Sequence, residues 1–208
     1  MTKRHTKTQG FTIIELLIAT AVFSVVLLVF LTAFLRISQL FYKGVNLSNT
    51  QSVARNVVQT IASDIQFYKG GVSQDSALGY ICVGDHRYTY KKFQQFVPSS
   101  NYALLQENIP GCTPPGSPAA NPNTGHELLS PGMQLNKLEL ICLANQCTIT
   151  ARIVFYGNSP AGLFFSPSNP TSSTPWKESD SQCTGPAQGT QYCATAEYSS
   201  TVILQGSG

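Results

Sequence analysis

Charge is what this sequence has least of: Lys, Arg, Asp and Glu make up 11% of its 208 residues. Lys3, Arg4 and Lys7 account for the formal net charge of +3, so the chain beyond the first ten residues is close to neutral. It therefore has no broad basic field of the kind that holds nucleic acid without sequence preference. Cysteine is missing from the apolar N-terminal stretch; Cys82, Cys112, Cys142, Cys147, Cys183 and Cys193 all follow it. No two stand in C-x-x-C spacing, and neither His86 nor His126 joins a compact ligand cluster, so no metal site and no cofactor are expected. That distribution suits a disulfide-bearing domain in an oxidising compartment. Proline is absent between Phe11 and Lys69, which leaves Gly44 as the candidate hinge of any helix there. Also missing are the G-x-S-x-G elbow, the H-E-x-x-H helix, the Walker loop and the dinucleotide fingerprint. Asp85 beside His86 does not make a catalytic pair, because neighbours on a strand point to opposite faces.

What the chain does have is one long apolar run. Residues 11–35 read FTIIELLIATAVFSVVLLVFLTAFL with Glu15 as the single ionisable side chain, long enough to cross a hydrocarbon core as a helix. Lys3, Arg4 and Lys7 precede the run and only Arg36 and Lys43 follow closely. The positive-inside bias thus places the N-terminus in the cytoplasm and the C-terminal domain outside. The residues after Leu35, RISQLFYK, offer no small-x-small cleavage site, so the helix is retained rather than removed as a secretory signal. A carboxylate one turn into such a helix costs on the order of 2–3 kcal/mol unless something pairs with it.

The junction Gly10-Phe11-Thr12-Ile13-Ile14-Glu15, after a short basic leader and before an unbroken apolar helix, closely resembles the N-terminus of the type IV prepilin family. The resemblance implies that a prepilin peptidase cuts after Gly10 and that the new amine of Phe11 is N-methylated. It also implies that Glu15 meets the Phe11 amine of a neighbouring subunit during assembly. Other pilin or pseudopilin subunits would be the partners. The protein would sit in the inner membrane as a single-pass precursor and then join a cell-surface or periplasm-spanning filament. Many major pilins carry a proline midway along the membrane helix; its absence here favours a minor pilin or pseudopilin. Residues 52–66, SVARNVVQTIASDIQ, with Arg55 and Asp64, are also similar to the helix of J-type pseudopilins, although packing against a sheet explains them equally well.

Beyond the span, Val53, Val57, Ile61, Ile65 and Tyr68 recur at helical spacing and form one apolar stripe. Gly70 and Gly71 end the pattern, which gives a continuous helix of about 90 Å. The organisation expected is a leader (1–10), a membrane and filament-core helix (11–35), an amphipathic continuation (36–71) and an exported head (72–208). In the head, β-prone runs at 78–83, 87–96, 137–143, 148–156 and 199–204 alternate with turn-rich loops. The fold class is α+β, a long N-terminal helix packed on an antiparallel sheet. A hairpin turning at Ala144 and Asn145 would set Cys142 opposite Cys147. Cys183 and Cys193 enclose a glycine-rich loop and could form a second local bridge, leaving Cys82 for Cys112. Loops 110–125 and 157–185 are rich in Pro, Gly, Ser and Asn and belong at the surface. Glu178 and Asp180 are too few to argue a calcium site.

One segment invites a binding role. His86-Arg87-Tyr88-Thr89-Tyr90-Lys91-Lys92-Phe93 interleaves Arg87, Lys91 and Lys92 with Tyr88 and Tyr90, a composition able to hold phosphates and stack on bases. The simpler reading is an amphipathic strand with Arg87, Thr89 and Lys91 on a solvated face. The function expected is a structural subunit of a type IV pilus or type II secretion-like filament. An adhesive or DNA-binding head is the alternative, and a membrane-tethered enzyme the remote one.

Overall fold

A computed structural model describes residues 11–67, 71–94, 96–98, 101–114, 120–121, 124–143, 145–155 and 193–203. It divides into two compact units, Met1–Phe41 and Tyr42–Gly208. The helix α1 (Ile13–Phe67) runs without interruption through Gly44. Eight β-strands follow it: β1 (Val72–Asp75), β2 (Tyr80–Val83), β3 (His86–Tyr90), β4 (Leu104–Asn108), β5 (His126–Glu127), β6 (Met133–Leu143), β7 (Gln146–Phe155) and β8 (Ala194–Ile203). The class is α+β in a pilin-like arrangement.

In the first unit α1 is apolar all round and exposed all round: Leu28 is 63% and Phe30 65% accessible. Three of its hydroxyls are spent internally. Thr20 donates to the Leu17 carbonyl at 3.0 Å, Ser24 to Thr20 at 2.8 Å and Thr32 to Val29 at 2.8 Å. Each donor is satisfied by the helix itself, which is what an apolar solvent demands of a side chain it cannot hydrate.

In the second unit the helix becomes amphipathic. It buries Val53, Val57, Ile61 and Ile65, the expected stripe, together with Thr50, Ala54, Val58 and Ala62. The small residues widen the stripe to the three-to-four residues per two turns that a core-facing helix needs. Tyr68 lies outside the described residues. The buried face meets Ile81, Val83, Tyr88 and Leu104 on one sheet and Leu135, Leu140, Ile149 and Ile153 on the other, in a single core. Each fully buried aliphatic side chain contributes about 1.5–3 kcal/mol to that core.

Both sheets are antiparallel throughout, with strands in order β1-β2-β3-β4-β5 in one and β6-β7-β8 in the other. Strands β6, β7 and β8 extend the expected runs at their N-terminal ends. β3 is shorter than expected: after Tyr90 the chain turns through Phe93, whose φ is 63°. Phe93 and Phe96 then donate from their backbones to the Leu135 and Met133 carbonyls at 2.9 and 2.8 Å, which places this segment on the rim of β6. β1, β4 and β5 were not expected, since VSQD, LLQEN and HE show little apolar alternation.

Two local devices shape the first sheet. Between β1 and β2, Asp75 Oδ1 accepts from the backbones of Ala77 (2.8 Å) and Leu78 (3.1 Å), an Asx turn that ends in Gly79 at φ +70°. A Cβ there would stand 2.5 Å from the Tyr90 carbonyl oxygen, so only glycine fits. At the other edge the Glu127 carboxylate accepts from the backbone N–H groups of Ala103 (2.9 Å), Leu104 (2.9 Å) and Leu129 (3.1 Å). It thereby fastens the two-residue strand β5 to the start of β4.

Burial raises the Glu127 pKa above its ordinary 4.5, and the three N–H donors offset only part of the shift. The folded state therefore holds the Glu127 proton more tightly than the unfolded state does. Its contribution to stability is greatest below the ordinary value and is lost as pH rises through the raised one. Melting temperatures of the full chain in detergent, followed by circular dichroism between about pH 4 and pH 7, should fall more steeply for the native protein than for Glu127→Gln. Parallel profiles would show that Glu127 does not contribute.

Candidate functional site

The N-terminal turn of α1 is the first place where chemistry gathers. Phe11 is 87% exposed, and Thr12 precedes the first helical residue. The Thr12 backbone N–H and hydroxyl both donate to Glu15 Oε2, at 2.9 and 2.8 Å, while the Glu15 N–H donates to Thr12 Oγ1 at 3.3 Å. This is a capping box, in which two backbone donors without helical partners are satisfied reciprocally. The T-x-x-E signature ahead of an apolar run is legible in the sequence, but Glu15 viewed alone had only a neighbour's amine as a partner. Within its own chain the carboxylate already has two donors. Gly10 lies outside the described residues.

The basic and aromatic segment is largely withdrawn from the surface where it forms β3. Arg87 and Tyr88 are 0% exposed, Thr89 3% and Tyr90 5%. Arg87, Tyr88 and Tyr90 thus have no surface to offer, and the expectation of a solvated Arg87–Thr89 face is corrected. The cause is Glu107 on β4, opposite Arg87 in the register. Arg87 Nε and Nη2 donate to Glu107 Oε2 at 3.2 and 2.8 Å, and Nη1 donates to the carbonyls of Thr113 and Pro114 at 3.1 and 3.2 Å. Glu107 Oε1 accepts the backbone N–H of Asn121 at 2.9 Å. One buried ion pair thus anchors both stems of the proline-rich loop. Lys91 and Lys92 are exposed, and their ammonium groups sit over the rings of Tyr102 (4.4 Å) and Tyr90 (5.8 Å).

Near this pair Cys82 is joined to Cys112 with their Cα atoms 5.8 Å apart, and Gly111 donates to Asp85 Oδ1 at 3.0 Å. Cys142 and Cys147, direct partners in the β6–β7 register, are joined with Cα atoms 4.0 Å apart. Cys193 is disulfide-bonded, while Cys183 lies outside the described residues, as do Glu178 and Asp180. Among the described residues no three His, Cys, Asp or Glu side chains gather as metal ligands.

A polar cluster that sequence reasoning missed joins α1 to the first sheet. Asp64 Oδ2 is bonded to His86 Nδ1 and to the Tyr88 hydroxyl, with the Gln106 carboxamide at 3.5 Å. Gln106 also donates to the Tyr88 hydroxyl at 3.1 Å. His86 and Tyr88 share a strand face two residues apart, and Gln106 is the register partner of Tyr88. The partner of His86 is therefore Asp64, 22 residues earlier, and not its neighbour Asp85. Arg55 is exposed, on the other side of the helix.

Residues 5–31 match the family model described as the prokaryotic N-terminal methylation motif. The chain carries a prepilin-type N-terminus. The match spans the Gly10–Glu15 junction and most of the apolar segment, the same residues that form the capping box and the exposed helix. It indicates an exported filament subunit of the pilin or pseudopilin type, processed by a prepilin peptidase and anchored first in a membrane. No curated protein and no solved structure matches the chain.

Removing one member of the buried pair strands the other. Arg87→Ala should cost about 3–5 kcal/mol, whereas Arg87→Met with Glu107→Leu should recover most of it; unfolding midpoints in denaturant decide, and equal losses in both variants would refute the reading. Thr12→Val keeps the backbone donor but loses the hydroxyl. It should weaken the first helical turn by about 1 kcal/mol, roughly fivefold in amide exchange at Glu15, while Thr12→Ser leaves it intact.

Proposed function

We propose that this protein is a structural subunit, a minor pilin or pseudopilin, of a type IV pilus or type II secretion-like filament. The observation that carries the reading is the coincidence of the methylation motif at residues 5–31 with a helix whose apolar surface is exposed on every side. A membrane anchor alone needs lipid around it. A methylated amine beside a carboxylate one turn inside the helix also offers a second helix something to pair with.

In this reading the leader, 1–10, is removed on the cytoplasmic side and Phe11 becomes the methylated N-terminus. Residues 11–35 then hold the subunit in the inner membrane until it joins the filament. The Glu15 carboxylate exchanges its Thr12 donors for the amine of Phe11 on the neighbouring subunit. The head, 72–208, faces the exported side, where its disulfides are stable. The lack of proline in α1 supports a minor rather than a bulk subunit.

The deciding measurement is the intact mass and N-terminal sequence of the protein from its native membrane, with and without Gly10→Ala. The native chain should begin at N-methylated Phe11 and the variant should retain its leader. A native chain that still begins at Met1 would overturn the filament reading in favour of a simple anchor.

A further inference from the structure

The two sides of α1 do not begin and end their apolar surface at the same level. Down the helix axis, Phe30, Ala33, Ile37, Leu40 and Phe41 fall on one face, at the three- and four-residue steps that align side chains along a helix. Glu15 stands on that face too, about five turns before Ala33. Apolar side chains on this face therefore start one turn after Glu15, at Ala19, and end at Phe41. On the opposite face they start at Ile14 and run past Leu28 to Leu35, where Gln39 ends them. Thr32 lies between, with its hydroxyl turned back to Val29. Each face thus carries roughly 33–35 Å of apolar surface, and the second is displaced by about 8 Å toward the N-terminus.

An upright helix would need both faces to begin and end together. A leaning helix enters and leaves a bilayer later on the side toward which it leans. For a helix about 10 Å across, a displacement in the same sense at both ends describes one lean, toward the Ile37 face. The apolar length agrees, because it exceeds a hydrocarbon core of about 30 Å and a tilt takes up the surplus.

We infer that residues 36–41 form a lipid-binding surface: α1 leans so that Ile37, Leu40 and Phe41 sink into the boundary between headgroups and acyl chains at the C-terminal end of the span. The occupant is phospholipid, for three reasons. The stripe continues without a break the apolar surface of a helix able to cross a membrane, and its three side chains are 66%, 70% and 67% exposed. Arg36, on the flank of the stripe beside Leu40, is exposed and has no ion pair among the described residues, so its guanidinium can reach headgroup phosphates while its stem lies along the apolar face. Tyr42 and Lys43 follow in the sequence, and aromatic and basic residues of this kind anchor a helix at an interface and set its rotation. The inference rests on membrane anchorage and concerns the subunit before any assembly.

The test uses full-length protein at a low protein-to-lipid ratio in vesicles of phosphatidylethanolamine and phosphatidylglycerol brominated on the acyl chain near the headgroup. Trp176→Phe removes the single native tryptophan, and reporters are then introduced singly. Along the axis Gln39 lies about 3 Å nearer the span than Phe41, so in an upright helix Gln39→Trp loses more fluorescence than Phe41→Trp. The leaning helix reverses the order, and Phe41→Trp should show the larger loss. Equal loss, the upright order, or no loss at either position would overturn the inference. Ile37→Gln with Leu40→Gln shortens the stripe and leaves both reporter positions untouched; it should restore the upright order, and a reversed order that persists would show that the stripe does not direct the lean. Phe23→Trp, with bromine near the chain end, reports the span itself. Quenching there beside an upright order sinks the lipid surface alone, whereas an unquenched Phe23→Trp sinks the anchorage on which the filament reading also depends.

Discussion

An apolar helix surface exposed on every side, with one carboxylate set into it, cannot rest in water, and everything else about this chain follows from how that surface is covered. On the proposed reading lipid covers it first and the helices of other subunits afterwards, and the same side chains must suit both. Leucine, isoleucine, valine and phenylalanine do, because neither environment asks for a polar partner. Thr20, Ser24 and Thr32 conform by turning their hydroxyls back to the helix. Glu15 is the exception. Its capping box with Thr12 gives it donors within its own chain, so the carboxylate is not bare even without a partner.

The head answers a different problem with different means. It is small, its charge is sparse, and its loops are rich in proline and glycine, so local fastenings take the place of extended regular structure. The Arg87–Glu107 pair, the Cys82–Cys112 bridge and the Glu127 carboxylate each tie loop backbone to strand. A charge buried at this depth is stable only with every donor and acceptor engaged, and Arg87 uses Nε and both terminal nitrogens.

The helix and the methylation motif were legible in the sequence because each rests on local pattern: an apolar run, a helical stripe, a short basic segment ahead of Phe11. The β6–β7 hairpin was legible for the same reason. The burial of Arg87 was not, because a basic residue among tyrosines reads as a wet strand until Glu107 is known to lie across from it. Nor was Asp64. Its partners come from two strands that follow it by 22 to 42 residues, and nothing in a helix announces which strand will pass over its last turn. β4 escaped notice because Glu107 interrupts the apolar pattern, and that interruption is the feature that makes the strand indispensable.

The Asp64 cluster also has a mechanical meaning. A pull on α1 would reach the bonds from Asp64 to His86, Tyr88 and Gln106 together, because all three meet at one carboxylate oxygen. Bonds loaded together share the force and rupture together, whereas bonds loaded in series unzip one by one. On the proposed reading, in which the subunit is drawn out of a bilayer by its helix, tension in the helix would reach the first sheet through such a clamp as a single load.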